Sequence, residues 1–144
     1  MKKENYKIIP EEYIGDIIDE DSVKVEGTNQ TPEVILDQNK GLISLKGYSL
    51  PENTGEFYYP VLEWIKKYID KAQTITTVNF DLEYFNSSSF KMLLELTKLI
   101  SKLKKKGKQF HVTWNYQEGD DDMFDSGRQL EEILDMEFEY ICYK

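Results

Sequence analysis

A run of β-branched and aromatic residues at 74–85 gives way, at three consecutive serines, to a long apolar helical pattern at 87–106. A second strand pattern follows at 110–116, where Phe110, Val112, Trp114 and Tyr116 alternate with polar residues and so share one face. A strand, a helix and a strand in this order favour a right-handed crossover with the helix packed against the sheet. The chain is therefore expected to fold around a sheet covered by helices.

The flanking segments extend this unit on both sides. Short strands are predicted at residues 33–36 and 42–48, and the loop between them is rich in residues that tolerate positive φ, which indicates a hairpin. Helical spacing follows the turn-forming residues 51–55, with Pro60 expected in the first turn of that helix. A short helix at 126–134 and a strand at 138–143 complete the pattern. This order predicts an α/β fold, with a mixed β-sheet, an opening hairpin and about three helices packed against it.

The N-terminal residues 1–27 differ from the rest, because acidic groups interrupt short apolar ones and few turn signals occur. Apolar pairs at residues 13–14 and 17–18 sit at helical spacing. We expect an N-terminal extension here, either an arm or a short docking helix, and composition does not choose between the two. Residues 28–144 are expected to form one regulatory domain, since a chain of 144 residues is too short for two independent cores.

The net charge of −9 argues against a nucleic-acid binder, because affinity for phosphates comes from clustered lysine and arginine. One basic cluster falls at the end of the long helix pattern, where cations offset the negative end of the helix dipole. It comprises Lys98, Lys102, Lys104, Lys105, Lys106 and Lys108. No apolar run reaches the roughly 18 residues of a membrane span. The absence of a secretory signal and the single cysteine favour a cytoplasmic protein.

Catalytic chemistry has little support in the sequence. His111 is the single histidine and Cys142 the single cysteine, and neither has a recognisable nucleophile or orienting partner. No phosphate-binding glycine motif occurs either. We therefore expect no catalytic residues and no cofactor.

The acidic run at 119–127 invites a metal-site hypothesis. An EF-hand calcium loop that began at Asp120 would need glycine at its sixth position, where this chain has Asp125. Acidic residues such as Asp121 and Asp122 are also favourable in the first turn of a helix. Helix-start chemistry is the preferred interpretation and no metal is expected, although a partner contact by these carboxylates stays open.

The three serines at 87–89 have two interpretations. Serine is a favoured N-cap, so one of them can simply cap the long helix. Alternatively, a hydroxyl at this position can carry a phosphate, which the exposed backbone N–H groups and the positive end of the helix dipole would hold. The junction follows a strand end, where open α/β sheets commonly place functional loops.

The surrounding chain resembles the SiaC-type regulatory phosphoproteins, a bacterial family related in fold to the STAS-domain antagonists of anti-sigma factors. The resemblance covers about residues 28–142. It rests on the following residues: Thr31, Pro32, Glu33, Val34, Leu36, Asp37, Gly41, Gly47, Tyr48, Ser49, Pro51, Glu52, Asn53, Phe57, Tyr58, Pro60, Trp64, Leu82, Glu83, Tyr84, Phe85, Asn86, Ser87, Ser88, Ser89, Lys91, Trp114, Asn115, Tyr116, Asp121, Asp122, Met123 and Gly127.

This resemblance implies a STAS-like fold and control by reversible phosphorylation. The family's phosphorylated hydroxyl is the first one after Leu-x-Tyr-x-Asn, which is Ser87 here, with Ser88 as the fallback. The family usually has threonine at that position, so this chain departs from the pattern. We expect partners to bind around the site, through Asn53, Tyr84, Asn86, Ser88, Ser89, Lys91, Asp121 and Asp122.

The resemblance also implies three kinds of partner. These are a serine/threonine kinase with a histidine-kinase-like ATPase fold, a PP2C-type phosphatase and, in some relatives, a diguanylate cyclase as the regulated target. The leading hypothesis is a non-enzymatic adaptor that binds its target when unphosphorylated and releases it when phosphorylated at Ser87. The alternatives are a structural interaction module without phosphorylation and a small metal-dependent enzyme that uses the acidic cluster at 120–125.

Overall fold

The computed structural model describes residues 6–144, which contain seven strands, three α-helices and two short 3₁₀ segments at Glu11–Ile17 and Lys102–Lys106. The strands are β1 (Lys7–Ile9), β2 (Ser22–Val25), β3 (Glu33–Asp37), β4 (Leu42–Ser49), β5 (Ile75–Phe85), β6 (Gln109–Gln117) and β7 (Glu139–Tyr143). The helices are α1 (Thr54–Ile69), α2 (Ser87–Ser101) and α3 (Asp121–Leu134).

All seven strands form one mixed sheet, in which spatial order follows sequence order from β1 to β7. Strand β3 is antiparallel to both β2 and β4, whereas β4 to β7 run parallel, as do β1 and β2. Right-handed crossovers that advance along the sheet in one direction place all three helices on the same face. In agreement, α1 contacts α2 and α2 contacts α3. The predicted α/β fold, with its hairpin, mixed sheet and helices packed on it, is confirmed.

The core lies between the sheet and this helical layer. Trp114 of β6 is 1 % exposed and meets Phe80 of β5 edge to face. Its indole N–H donates to the backbone carbonyl of Met123 in α3, at 2.9 Å. A Cβ added at Gly127 would lie 2.7 Å from the Trp114 ring, so α3 can approach this closely only with glycine there. These contacts fix α3 over β6.

The second face of the sheet is polar. Asn79 of β5 donates to the Ser44 hydroxyl at 3.2 Å and accepts from Thr113 at 2.7 Å and from Asn115 at 2.8 Å. These side chains cross three neighbouring strands, β4, β5 and β6. Their alternation with the buried residues explains why the strand patterns read as one apolar and one polar face.

The N-terminal segment is more closely joined to the sheet than an arm or a docking helix would be. Residues 7–25 supply β1 and β2, with a 3₁₀ segment between them. Ile17, Val23 and Val25 are fully buried, and the indole N–H of Trp64 donates to the carbonyl of Glu20 at 2.7 Å. The alternating residues of β2 were too few to reveal a strand in the sequence. Residues 1–5 of the expected extension lie outside the described residues.

Helix boundaries differ from the sequence expectation in three places. α2 ends at Ser101, and residues 102–106 of the expected helix form a 3₁₀ segment. α1 begins at Thr54, so Pro60 lies inside the helix and not in its first turn. α3 begins at Asp121, earlier than the expected residue 126, because Asp120 caps it and the acidic run forms its first turns. Within residues 6–144, no helix combines the length and the apolar character needed to cross a membrane.

Candidate functional site

Three helix N-termini meet along one edge of the sheet. Strands β4, β5 and β6 are parallel and each leads directly into a helix, so their carboxyl ends place the starts of α1, α2 and α3 side by side. We call this the carboxyl edge and define it as residues 50–56, 84–91 and 117–123. It contains every residue that the sequence predicts as a phosphorylation or partner-binding site.

Each of the three helices begins with a side-chain cap. The Oδ1 atoms of Asn53, Asn86 and Asp120 accept from the backbone N–H groups three residues on, at 3.0, 2.9 and 3.1 Å. Such caps satisfy donors that the helix itself leaves unpaired. Asn53 and Asn86, both predicted to contact a partner, therefore also have a role within the fold.

The first turn of α2 differs from those of its neighbours in charge. α1 carries Glu56 in its first turn and α3 carries Asp121 and Asp122, whereas α2 has no acidic residue there. Carboxylates at the start of a helix offset the positive end of its dipole. In α2 that end has no negative side chain, so a phosphate there would meet favourable charge.

The three serines of this turn are not equivalent. Ser87 and Ser88 are exposed, whereas Ser89 is fully buried. The Ser89 hydroxyl donates to the backbone carbonyl of Ser49 at 2.9 Å and accepts from the Ser49 hydroxyl at 2.7 Å. A kinase can reach the first two hydroxyls but not the third. Ser89 was expected to contact a partner, and in the structure its hydroxyl is instead used to hold α2 in place.

A tyrosine completes this buried network. The hydroxyls of Tyr58 and Ser49 lie 2.5 Å apart. Because Ser49 gives its proton to Ser89, the Tyr58 hydroxyl must be the donor to Ser49. Burial raises the pKa of Tyr58 to about 12, against the opposite effect of its hydrogen bonds to Ser49 and Ser89, so Tyr58 keeps the proton that this role needs.

Ser49 and Tyr58 were not predicted as site residues, although both belong to the motifs that carry the family resemblance. Ser49 is 40 residues from Ser89 in sequence, and no local pattern links the two. The backbone N–H of Asn86 also donates to the Ser49 carbonyl, at 3.0 Å. The last residue of β4 thus anchors both the cap and the first turn of α2.

Tyr84 is brought to the surface by an irregularity in the sheet. Gly47 pairs with Leu82 and Tyr48 pairs with Tyr84, which leaves Glu83 as one extra residue in β5. Tyr48 is 41 % exposed and Tyr84 51 % exposed. The two residues therefore pair across β4 and β5, and Tyr48 lies just outside the carboxyl edge as defined above.

Two acidic side chains, Asp81 and Glu83, precede Tyr84 on β5. Burial and then the charge of Glu83 raise the pKa of Asp81, while the charge of Lys46 lowers it. Burial and the charges of Asp81 and Glu83 likewise raise the pKa of Tyr143. Lys91 is exposed four residues after Ser87, which places both side chains on one face of α2. A new negative charge at Ser87 would therefore share its helix face with the cation of Lys91 and would add to the negative charges of Asp81 and Glu83 on β5.

Asp121 and Asp122 lie in the first turn of α3 at the same edge, and both are exposed. Asp120 is engaged by its capping bond to the Met123 N–H. Over residues 6–144, no group of three or more His, Cys, Asp or Glu side chains is placed to hold a metal ion. The carboxylates at this edge are arranged for helix capping and surface charge.

His111 lies near the beginning of β6, far along the strand from the carboxyl edge, whereas Cys142 pairs with Tyr116 at the end of β6, next to that edge. The His111 Nε2 atom is 2.8 Å from a carboxylate oxygen of Glu139, and both side chains are about half exposed. Cys142 is a free, exposed thiol on β7. The structure brings neither of them to the serines.

A model of the SiaC family regulatory phosphoproteins matches residues 25–143 of the chain. The chain belongs to this family. The match spans β3 to β7 and all three helices, and so includes the whole carboxyl edge. Membership of a family of regulatory proteins confirms the prediction of a signalling protein that is not itself an enzyme.

Individual relatives agree with this assignment. An uncharacterized protein of Pseudomonas aeruginosa strain UCBPP-PA14 is 28 % identical over 92 residues, which are 64 % of this chain and 73 % of that protein. SiaC, in the crystal structure of the diguanylate cyclase SiaD with its activator SiaC from Pseudomonas aeruginosa, matches with a TM-score of 0.75. That match covers 84 % of this chain and 98 % of the other at 24 % identity. SiaC of Pseudomonas aeruginosa on its own gives a TM-score of 0.73 at 23 % identity, over 85 % of this chain and 98 % of the other. At these identities, the two structural matches establish the SiaC fold.

Proposed function

We propose that this SiaC-family protein is a switch whose exposed Ser87 is the phosphorylated residue. In its unphosphorylated form it binds and regulates a target protein, and the phosphate blocks that binding. One observation carries the choice of site: Ser87 is exposed in the first turn of a helix that lacks acidic residues there, while Ser89 is buried in the core. Ser88 is also exposed, and the family motif favours Ser87 over it.

The mechanism follows from local charge. A phosphate on Ser87 adds about −1.5 to −2 charges at neutral pH. The start of α2 and Lys91 hold it in place, so the domain needs no refolding. The same charge adds to those of Asp81 and Glu83 on β5, and the phosphate also occupies the surface that a partner must approach. Binding is lost through repulsion and steric obstruction at the carboxyl edge.

The target is proposed to be a diguanylate cyclase, because SiaC of Pseudomonas aeruginosa is found in complex with the cyclase SiaD as its activator. Its contacts are proposed to include Asn53, Tyr84, Asn86, Ser88, Lys91, Asp121 and Asp122, which all lie on the carboxyl edge. A serine/threonine kinase with a histidine-kinase-like ATPase fold adds the phosphate and a PP2C-type phosphatase removes it. All of these components are proposed to act in the cytoplasm.

The test is phosphopeptide mapping after incubation with the cognate kinase and ATP, followed by treatment with the phosphatase. Wild type should gain one phosphate in the peptide that contains residues 87–89, and Ser87→Ala should gain none. Ser88→Ala is the matched control, because it removes the neighbouring exposed hydroxyl and should leave phosphorylation unchanged.

Phosphate on Ser88 alone would move the site by one residue and keep the switch. Phosphate elsewhere in the chain, or none, would favour the alternative of an interaction module without phosphorylation. In that case the exposed Tyr48 and Tyr84 pair would still mark the carboxyl edge as a binding surface.

A further inference from the structure

A groove opens between the N-terminal 3₁₀ segment and the beginning of α1. It encloses about 630 Å³. Its floor includes three buried apolar side chains, Ile14 from the 3₁₀ segment, Pro51 from the loop after β4 and Phe57 from the first turns of α1, whereas most of the other lining residues are polar. A space of this size with an apolar floor can take several side chains of a bound segment.

The rim of the groove is acidic. Four glutamates line it, and among residues 6–144 no lysine, arginine or histidine does. They are Glu11, Glu12, Glu52 and Glu56. Within the described part of the chain, none of the four forms an ion pair, whereas acidic residues nearby do: Asp19 lies 2.8 Å from Lys67, and Glu20 lies 3.0 Å from Lys7. The groove therefore combines an apolar floor with unneutralised negative charge.

Helix-start electrostatics account for only part of this arrangement. Glu56 lies in the first turn of α1, and Glu11 and Glu12 lie in that of the 3₁₀ segment, where acidic residues are favoured. That preference acts on each segment separately. It does not explain why carboxylates from two segments, more than 35 residues apart, converge on one groove where the described residues place no cation.

We propose that this groove binds a basic segment of a partner protein. The aliphatic parts of lysine or arginine side chains would lie on the floor, and their charged ends would reach the glutamates. Glu11, Glu12 and Ile14 precede residue 25, where the family match begins, so the N-terminal segment adds this site to the family fold. The groove is built on the start of α1, and its proposed role does not depend on phosphorylation at Ser87 in α2.

The test uses a fluorescently labelled peptide of alternating arginine, leucine and serine, with binding measured by anisotropy at low and at physiological salt. Replacing the four rim glutamates with glutamine should weaken binding at least about tenfold. The matched control makes the same change in charge at four exposed glutamates outside the groove, and should alter binding less than about twofold. Those control positions are Glu63, Glu95, Glu132 and Glu137.

A second variant tests the shape of the groove without changing its charge. Gly15 lines the groove, and a Cβ added there meets no atom within 4 Å. Gly15→Leu should therefore fold normally, occupy the groove and weaken peptide binding. If the charge variant loses peptide binding but Gly15→Leu does not, the peptide is attracted by the negative surface charge without entering the groove. That result would overturn the proposal.

Two further outcomes are decisive. Equal binding of a peptide with serine in place of arginine would overturn the choice of a basic occupant. Ser87→Glu should bind the arginine peptide within about twofold of wild type, because the four rim glutamates lie on α1, on the loop before it and on the N-terminal 3₁₀ segment, and none lies on α2. The groove and the phosphorylation switch can thus fail independently of each other.

Discussion

The two ends of helix α2 have opposite chemistry. Its beginning carries exposed serines and no charged side chain in the first turn. Its end carries Lys98 and runs into the 3₁₀ segment Lys102–Lys106, which contains four lysines. A helix dipole favours negative charge at its beginning and positive charge at its end. Only the second preference is satisfied by the unmodified chain.

The lysine-rich end is tied into the fold. Lys106 lies 3.4 Å from a carboxylate oxygen of Asp70, at the end of α1, and Lys108 donates to the carbonyl of Ala72. Gly107 then ends the 3₁₀ segment with a φ of 73°, a left-handed conformation that favours glycine. Lys106 and Lys108 thus contact the end of α1 and the residues after it, and the charge of the whole group offsets the negative end of the helix dipole. At the end of α2, lysines offset the negative end of the helix dipole. At its beginning, no acidic side chain offsets the positive end, so an added negative charge would be favourable there.

The largest expected effect comes from placing that charge. Ser87→Glu should weaken target binding on the order of tenfold to a hundredfold, because like charges brought together at an interface cost several kcal/mol. Lys104→Gln changes the net charge by the same amount at the other end of the helix and should leave binding nearly unchanged. Affinity for the target is measured by calorimetry, with melting temperature as a check on folding.

Ser87→Ala should bind like the unmodified protein and escape the kinase. If Lys104→Gln weakened target binding as much as Ser87→Glu, the claim that the two ends of α2 differ in their effect on binding would be wrong. Net charge, and not its position, would then control the interaction. Equal binding by wild type, both Ser87 variants and phosphorylated protein would remove the mechanism of the switch.

The second effect concerns stability and compares Ser49, the β4 residue that packs against the beginning of α2, with Ser101 at the end of α2. Ser49→Ala removes the buried hydroxyl that accepts from Tyr58 and donates to Ser89. It should lower the free energy of unfolding by about 1–3 kcal/mol, the cost of leaving buried polar groups without partners. Ser101→Ala, which removes an exposed bond to the Lys98 carbonyl, should cost less than about 0.5 kcal/mol.

Chemical denaturation of the two variants measures this difference directly. If Ser49→Ala were as stable as Ser101→Ala, the buried network would not anchor the start of α2. In that case, the hydrogen bonds of Ser89 would not be the reason that Ser87 and Ser88 are held at the surface.

This contrast also shows what the sequence could and could not predict. Strands β3 to β7 and the three helices follow from periodic apolar patterns, and the family motif singles out Ser87. The burial of Ser89 does not follow, because it depends on Ser49, a residue distant in sequence that becomes a neighbour only when β4 pairs with β5. A strand as short as β1, with three residues, likewise gives too few alternations to be recognised.

Residues at the carboxyl edge illustrate the same limit. Asn53, Asn86 and Asp120 could be recognised as N-cap residue types, because capping is a local interaction. The pairing of Tyr84 with Tyr48 could not, since it requires the extra residue Glu83 and the register of two strands. Local chemistry was therefore predictable, whereas the composition of the shared surface required the sheet.

A smaller effect is expected from the cap of α2. Asn86→Ala removes the acceptor for the Ser89 N–H and should lower the free energy of unfolding by about 1 kcal/mol. Asn86→Ser is the matched control, since serine also caps helices and should retain most of the stability. If Asn86→Ser keeps stability but loses target binding, the amide contacts the partner directly. If it keeps both, Asn86 acts by positioning the serines.

The smallest expected effect is none at all, at the start of α3. Calorimetric titration with calcium or magnesium should show no saturable binding by the carboxylates of residues 120–125. Asp120 is engaged as a cap, and successive side chains of a helix point about 100° apart, so Asp121 and Asp122 diverge from it. A saturable signal that disappears when Asp120, Asp121, Asp122 and Asp125 are replaced by asparagine would contradict this expectation. The acidic beginning of α3 would then be a metal site. The difference in charge between the first turns of α3 and α2 would then have a cause other than the helix dipole.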